Sequence, residues 1–205
     1  MPSEQLIIFD CDGVLVDSEP LANTLLEEAL LPYFGKDAKR VTENSIGLSF
    51  SDIRDQIEKQ LSTKLPNAFW ENLQDKTLIG LASTLRPDPA LREFLESLSI
   101  PFCVASSGSH QKIRTSLAAA ELLDLFDHAI FSAEDVTIGK PAPDLFLLAS
   151  GRYRTAAKNC LVIEDSHPGL EAARAAGMSA LHFVPNQDFL GPGQINQLQM
   201  LVEYL

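Results

Sequence analysis

Two aspartates, Asp10 and Asp12, stand two residues apart directly after the short apolar run at residues 6–9. Carboxylates at this spacing can divide the work of covalent catalysis, because one can attack as a nucleophile while the other transfers protons to and from the leaving oxygen. Gly13 follows at once and lets the chain turn away from the pair. Both aspartates are therefore candidate catalytic residues.

Two further polar clusters offer groups that suit a phosphate. Ser106, Ser107 and Gly108 follow the apolar run at residues 101–105, and their hydroxyl and backbone N–H groups can hold phosphate oxygens, partly at a helix N-terminus. Lys140 lies in the segment GKPAPD, where two prolines stiffen the backbone. Its ammonium group can neutralise a phosphoryl group. We therefore predict that these four residues bind substrate.

A fourth cluster has the chemistry of a metal site. Glu164 and Asp165 follow the apolar run at residues 161–163. Carboxylate oxygens are hard ligands of the kind that Mg²⁺ prefers. Together with Asp10, these two residues predict a magnesium site.

The elements that must position these clusters alternate along most of the chain. Short runs that are apolar on both faces are typical of buried parallel strands, and they occupy residues 6–9, 101–105, 161–163 and 180–184, with a further strand predicted at 127–132. Helical periodicity lies between them, at residues 90–98, 111–122, 144–149 and 169–176. This alternation predicts an α/β fold with a parallel sheet covered on both sides.

One long segment interrupts the alternation. Residues 18–85 show only helical periodicity, at 21–31, 50–61 and 66–85. We therefore expect a core domain formed by residues 1–17 and 86–205, and a helical cap domain formed by residues 18–85. Ligands of parallel sheets bind outside the carboxyl ends of the strands, so this cap is expected to lie over the site.

Four motifs in order carry a family resemblance: FDCDGVLVD at residues 9–17, ASSGS at 105–109, GKPAPD at 139–144 and IEDSHPG at 163–169. They resemble the motifs of the haloacid dehalogenase-like hydrolase superfamily, and the resemblance spans residues 6 to about 185. The helical insertion resembles the small cap of the subfamily that contains phosphoglycolate phosphatases and β-phosphoglucomutases. The resemblance implies a Rossmann-like core with an inserted all-helical cap.

The resemblance also implies a role for each residue. Asp10 attacks phosphorus and ligates Mg²⁺, while Asp12 protonates the leaving alcohol, activates water and ligates the metal through its backbone carbonyl. The transferring phosphoryl group is bound by Ser106 and Lys140. Asp165 ligates the metal, and Glu164 does so directly or through one water. The expected enzyme is a magnesium-dependent phosphatase that works through an aspartyl-phosphate.

Composition limits the partners. The formal net charge of −12 repels nucleic acid and anionic membranes, so neither is an expected partner. Cys11, Cys103 and Cys160 are odd in number and widely spaced, which indicates reduced thiols rather than disulfides. No leader and no run of eighteen apolar residues is visible. A cytoplasmic protein acting on a small phosphorylated metabolite is therefore expected, with its oligomeric state undetermined.

Three other functions compete with the phosphatase. A sugar phosphomutase shares the cap type and all four motifs, and a non-catalytic phosphometabolite-binding protein shares the fold. A dehalogenase is disfavoured because the corresponding motif of the family's dehalogenases lacks an aspartate at the position of Asp12. Against the mutase, Phe50 stands where β-phosphoglucomutases place a cap arginine, and Ala22 where they carry a histidine. Another cap cation such as Arg54 can compensate, so the sequence leaves this alternative open.

Overall fold

The computed structural model of this chain describes residues 5–45, 47–126 and 128–205. Its six strands are β1 (Leu6–Phe9), β2 (Phe102–Ser106), β3 (Ile130–Ser132), β4 (Cys160–Glu164), β5 (Ser179–Phe183) and β6 (Gln194–Ile195). They form one parallel sheet in the order β3-β2-β1-β4-β5-β6. The predicted α/β class with a Rossmann-like parallel sheet is confirmed.

The helices are α1 (Glu19–Phe34), α2 (Ala38–Glu43), α3 (Phe50–Leu61), α4 (Asn67–Thr84), α5 (Pro89–Ser97), α6 (His110–Ala119), α7 (Leu123–Phe126), α8 (Asp144–Tyr153) and α9 (His167–Ala175). Among the described residues, no strand lies between the start of α1 and the end of α4. None of the described helices has both the length and the apolar character that a membrane crossing needs.

Strand β1 lies in the middle of the sheet, and helices pack against both of its faces. Its side chains alternate, so that Ile7 and Phe9 join one core cluster with residues of α5 and α6, while Leu6 and Ile8 join another with residues of α8 and α9. All four residues of β1 are buried. A strand apolar on both faces is therefore required here, as its sequence predicted.

Helices α1 to α4 enclose a third apolar cluster of their own. Trp70 is fully buried there, its ring meets Phe50 and Phe69 edge to face, and its indole N–H donates to Glu58. Trp70, the only tryptophan of the chain, thus has a packing role in this cluster. Helix α4 also packs against α1 and against α6 of the sheet-bearing part, which brings the helical segment over one end of the sheet.

Some elements differ from the sequence prediction. Helix α2 and the two-residue strand β6 were not predicted, because segments this short carry too little periodicity to stand out. Near the C-terminus a 3₁₀ helix occupies Leu198–Glu203. The strand predicted at 127–132 is shorter, Ile130–Ser132, and Asp127 lies outside the described residues. Helix α6 ends before 122, where Glu121 adopts a positive φ of 56°.

Candidate active site

Three neighbouring strands deliver the polar clusters to one edge of the sheet. Asp10 follows β1, Ser106 is the last residue of β2, and Glu164 is the last residue of β4. Because β1 lies between β2 and β4, their carboxyl ends meet where the strand order reverses, which is where sheets of this type bind ligands. A single cavity there is lined by all the predicted site residues: Asp10, Asp12, Ser106, Ser107, Gly108, Lys140, Glu164 and Asp165.

The buried ammonium group of Lys140 joins two of the carboxylates. Its Nζ lies 2.5 Å from Oδ1 of Asp10 and 2.7 Å from Oε2 of Glu164, and it also lies over the ring of Phe146. Burial alone would lower the pKa of Lys140, but the two carboxylates raise it, so the group stays charged. The lysine therefore supplies a fixed positive charge beside the candidate nucleophile.

Asp12 has a different set of partners. Lys112 Nζ lies 2.9 Å from its Oδ2, and the hydroxyl of Ser18 donates to its Oδ1. Ser106 Oγ makes a longer contact of 3.4 Å with Oδ2. Burial opposes ionisation, yet Lys112 and these hydroxyls together lower the pKa of Asp12. The carboxylate form of Asp12 is therefore favoured in the resting site.

Sequence reasoning missed Lys112 and Ser18. Ser18 is buried at the N-cap of α1, where a hydroxyl usually accepts from the helix, but here it turns to Asp12. Lys112 lies in the first turn of α6, three residues after the N-cap Ser109. A cation is unfavourable at this positive end of a helix, so its presence there was a signal that a nearby carboxylate compensates for it.

Asp10, Glu164 and Asp165 form the acidic cluster that can hold a metal ion. Each offers one carboxylate oxygen within 4.8 Å of the others. Burial, with the charges of Glu164 and Glu19, raises the pKa of Asp165 to about 8. Burial and the charge of Glu164 likewise raise the pKa of Asp10, against the lowering by Lys140. Crowded, poorly solvated carboxylates of this kind fit a hard divalent cation, which would relieve their repulsion.

Local hydrogen bonds fix the orientation of Glu164. Its Oε1 accepts from the backbone N–H and the hydroxyl of Ser166, at 3.1 and 2.6 Å, while Oε2 faces Lys140. Gly169 leaves the room that this carboxyl group needs, since a Cβ at that position would lie 2.0 Å from its Cδ. Gly13 does the same for Asp165 Oδ2, also at 2.0 Å, and has a positive φ of 82°.

Two hydrogen bonds fix the loop at Ser107 and Gly108, which follows β2. Ser132 Oγ donates to the carbonyl of Gly108 at 2.6 Å, and the backbone N–H of Gly108 donates to Ser106 Oγ at 3.0 Å. Ser107 and Gly108 remain partly exposed on the cavity side. The loop thus presents hydroxyl and backbone groups beside Asp10, in a geometry that suits the oxygens of a phosphoryl group.

The cavity itself measures about 160 Å³ and lies between the edge of the sheet and the helical segment. Residues of α1, α3 and α4 complete its wall, among them Asn23, Leu26, Phe50 and Gln74. Both the edge of the sheet and the helical segment therefore contribute to the lining of this cavity.

Comparison with known proteins gives consistent similarities. The family model described as haloacid dehalogenase-like hydrolase matches residues 4–177. A probable pseudouridine-5′-phosphatase of Drosophila melanogaster is 33% identical over 185 residues, or 85% of this chain and 79% of its own. The β-phosphoglucomutase of Bacillus subtilis is 30% identical over 200 residues, or 90% of this chain and 85% of its own.

Among solved structures, a conserved haloacid dehalogenase-like protein of unknown function from Agrobacterium tumefaciens superposes with a TM-score of 0.75. It is 28% identical in sequence, and the match covers 98% of this chain and 96% of that one.

Proposed function

The chain belongs to the haloacid dehalogenase-like hydrolase family and is a hydrolase of the phosphatase type, and from this premise we propose that it dephosphorylates a small metabolite through an aspartyl-phosphate on Asp10. The observation that carries the proposal is that two carboxylates in one cavity contact different ammonium groups. Asp10 lies against the ammonium of Lys140, and Asp12 lies against that of Lys112.

In the first step, an oxygen of Asp10 attacks phosphorus and the bond from phosphorus to the leaving alcohol breaks. Lys140, Ser106 and the loop at Ser107 and Gly108 hold the phosphoryl oxygens. The leaving oxygen takes a proton from Asp12, whose pKa rises as the negatively charged phosphoryl group approaches. Asp10 then carries the phosphoryl group.

In the second step, water attacks the same phosphorus and gives a proton to Asp12. The carboxylate form of Asp12, which Lys112 favours, is the form that accepts this proton. The bond between Asp10 and phosphorus breaks, and inorganic phosphate leaves. A bound Mg²⁺, held by Asp10, Asp165, Glu164 and the backbone carbonyl of Asp12, would offset the charge of the phosphoryl oxygens throughout.

We propose in addition that residues 18–85 act as a cap over a core of residues 1–17 and 86–205. Helices α1, α3 and α4 contribute residues to the wall of the cavity that also contains Asp10. Substrate selection would then depend on this segment, while the phosphoryl group is handled from the sheet.

Water, rather than a second sugar phosphate, is the proposed acceptor. Arg54, the cap cation that could anchor a second phosphate, is engaged elsewhere: it pairs with Glu58 at 3.1 Å, donates to Asn67 and lies over Trp70. It is absent from the cavity lining. This supports the phosphatase over the phosphomutase.

The test is phosphate release from p-nitrophenyl phosphate, with Mg²⁺ and with EDTA, by the wild type, Asp10→Asn and Asp17→Asn. The amide of Asp10→Asn cannot attack phosphorus, so we expect activity to fall by at least about 10⁴-fold. Asp17 is exposed and outside the cavity lining, so its variant is the matched control and should retain activity.

A second measurement tests for the covalent intermediate. Rapid acid quenching should trap a hydroxylamine-labile phosphoenzyme in the wild type and none in Asp10→Asn. Turnover by Asp10→Asn above a few per cent of wild type would exclude Asp10 as nucleophile, and full activity in EDTA would exclude the metal.

A further inference from the structure

The part of the cavity beyond the phosphoryl site is built from uncharged side chains. Four residues of the helical segment carry a neutral amide or hydroxyl there: Asn23, Ser45, Gln74 and Thr77. The others are apolar, and they come from three helices and one loop of the helical segment: Leu26, Leu48, Phe50, Ile53, Leu73 and Leu78.

All charge in the described cavity lining lies at the phosphoryl end or at its margin. Two ammonium groups, Lys112 and Lys140, face five carboxyl groups, those of Asp10, Asp12, Glu19, Glu164 and Asp165. Each ammonium is already paired, with Asp12 at 2.9 Å and with Asp10 and Glu164 at 2.5 and 2.7 Å. In the proposed mechanism Lys140 binds the phosphoryl group and Lys112 stays paired with Asp12, so neither is left to neutralise a second anionic group on the distal part of the substrate.

The cations of the helical segment point elsewhere. Arg54 pairs with Glu58 and donates to Asn67. On the surface, Lys39 pairs with Glu43, and Arg40 pairs with Asp37. None of the described lining residues from the helical segment is a cation. An anionic group on the distal part of a substrate would therefore be desolvated among apolar walls and near excess carboxylates, without a compensating charge.

We infer that the phosphate monoester hydrolysed here has an uncharged leaving alcohol that carries a ring with apolar faces, the chemistry of a nucleoside rather than of a bisphosphate or a phosphorylated acid. This inference rests on the proposed phosphatase function and names its substrate class.

The wall chemistry matches such a group. The Phe50 ring is held at right angles to Trp70, with the ring centroids 5.7 Å apart, so it offers a fixed aromatic surface at low entropic cost. The amides of Asn23 and Gln74 can each donate and accept, which suits the polar edge of an uncharged ring. A small number of neutral hydrogen-bonding groups in an apolar wall selects for shape and polarity together.

The test compares kcat/KM for three esters in saturating Mg²⁺: benzyl phosphate, 4-carboxybenzyl phosphate and glycerol 1-phosphate. Benzyl phosphate and its carboxylated analogue differ only by one charge distant from the reacting bond. We expect benzyl phosphate to exceed the carboxylated ester by about ten- to a hundredfold and to exceed glycerol 1-phosphate as well. Uridine 5′-monophosphate should also be hydrolysed faster than glycerol 1-phosphate.

Two variants tie the preference to the cavity. Gln74→Lys adds a cation to the wall and should reduce the preference of benzyl over 4-carboxybenzyl phosphate by about tenfold. Gln60→Lys adds the same charge on the exposed side of α3, outside the lining, and should leave the preference unchanged. Thermal melting of both variants checks that they are folded.

Equal or higher kcat/KM for the carboxylated ester, or for glycerol 1-phosphate, would overturn the inference while leaving the phosphatase proposal intact. An equal change of preference in Gln60→Lys and Gln74→Lys would overturn it too. Failure to release phosphate from every ester, p-nitrophenyl phosphate included, would overturn the proposed function itself, and with it the inference.

Discussion

Asp10 and Asp12 are only two residues apart, yet their surroundings move their pKa values in opposite directions. Burial and Glu164 raise the pKa of Asp10, whereas Lys112 and the hydroxyl of Ser18 outweigh burial and lower that of Asp12. Environments that separate two titrating groups in this way are a usual means of giving them different tasks. A divalent cation bound at the acidic cluster would lower the pKa of Asp10 and favour the attacking carboxylate, while the Asp12 side chain stays outside that cluster and can carry a proton.

Asp12→Asn keeps the shape of the side chain but removes its proton chemistry. Turnover of an alkyl phosphate should fall by about 10²- to 10⁴-fold, because the leaving alkoxide then lacks a proton donor. Phosphoenzyme formation from p-nitrophenyl phosphate should fall less, since p-nitrophenolate leaves unprotonated. Rapid-quench measurement of both steps checks this, and equal losses with the two esters would contradict the proton-transfer role.

Lys112→Met removes the ammonium that lies 2.9 Å from Asp12. The pKa of Asp12 should then rise, so the acidic limb of kcat should move to higher pH by about one unit. Water attack needs the carboxylate, so phosphoenzyme should accumulate at lower pH. The measurement is the pH profile of kcat together with the p-nitrophenol burst.

Lys112→Arg keeps the charge and serves as the control, with an acidic limb close to that of the wild type. If Lys112→Met loses activity equally at every pH, the lysine acts on the structure and not on the proton of Asp12.

Helix α9 is packed so closely against the end of β4 that one of its positions has room only for glycine. Gly169 is in the first turn, its backbone N–H donates to Ser166, and it faces the carboxyl group of Glu164. Alanine is normally the better residue in a helix. Here close approach of the helix to the acidic cluster outweighs helix propensity.

Gly169→Ala should therefore destabilise the protein by about 1–3 kcal/mol and weaken Mg²⁺ binding, because the added methyl group must displace Glu164. Gly151→Ala in α8 is the matched control, since no atom lies within 4 Å of its added Cβ. That variant should gain about 0.5–1 kcal/mol. Urea unfolding and metal titration measure both, and unaltered metal affinity in Gly169→Ala would contradict the packing argument.

Across the whole molecule, net charge is negative and three carboxylates converge on one site. In the absence of metal, the pKa of Asp165 is raised from 3.8 to about 8. A group whose pKa is higher in the folded than in the unfolded state stabilises most below its unfolded pKa. That contribution is lost as pH rises from about 4 to about 8. A divalent cation bound at this cluster would take the place of the proton.

Stabilisation by Mg²⁺ should accordingly be larger at pH 8 than at pH 6, where the cation must displace a proton. At a concentration of 100 Kd, we expect Tm to rise by about 5–10 °C at pH 8. Differential scanning calorimetry with Mg²⁺ or EDTA at both pH values measures the difference. Asp165→Asn should lose this pH dependence of the Mg²⁺ stabilisation. Asp188→Asn, which replaces an exposed carboxylate, should keep it. A rise in Tm that is the same at both pH values would contradict the linkage.

The positions of five strands along the chain and the four polar clusters followed from the sequence alone, because both are local patterns. A strand buried on two faces must be apolar throughout, and a polar group at its carboxyl end needs only the next one or two residues to be recognised. For this reason the predicted carboxyl ends of the five strands lie within one residue of those in the structure, and the predicted site residues line the cavity. The elements β6 and α2 were too short to be predicted.

Partners that come from distant segments were decided only by the tertiary structure. Lys112 stands a hundred residues after Asp12, and no local pattern connects them. Arg54 could have faced the cavity, but it pairs with Glu58 one turn along α3 and also donates to Asn67 at the start of α4, which only the packing of the helices brings within reach. The physical reason is that helical periodicity tells which side chains share a face, while the packing of one helix on another decides what that face meets.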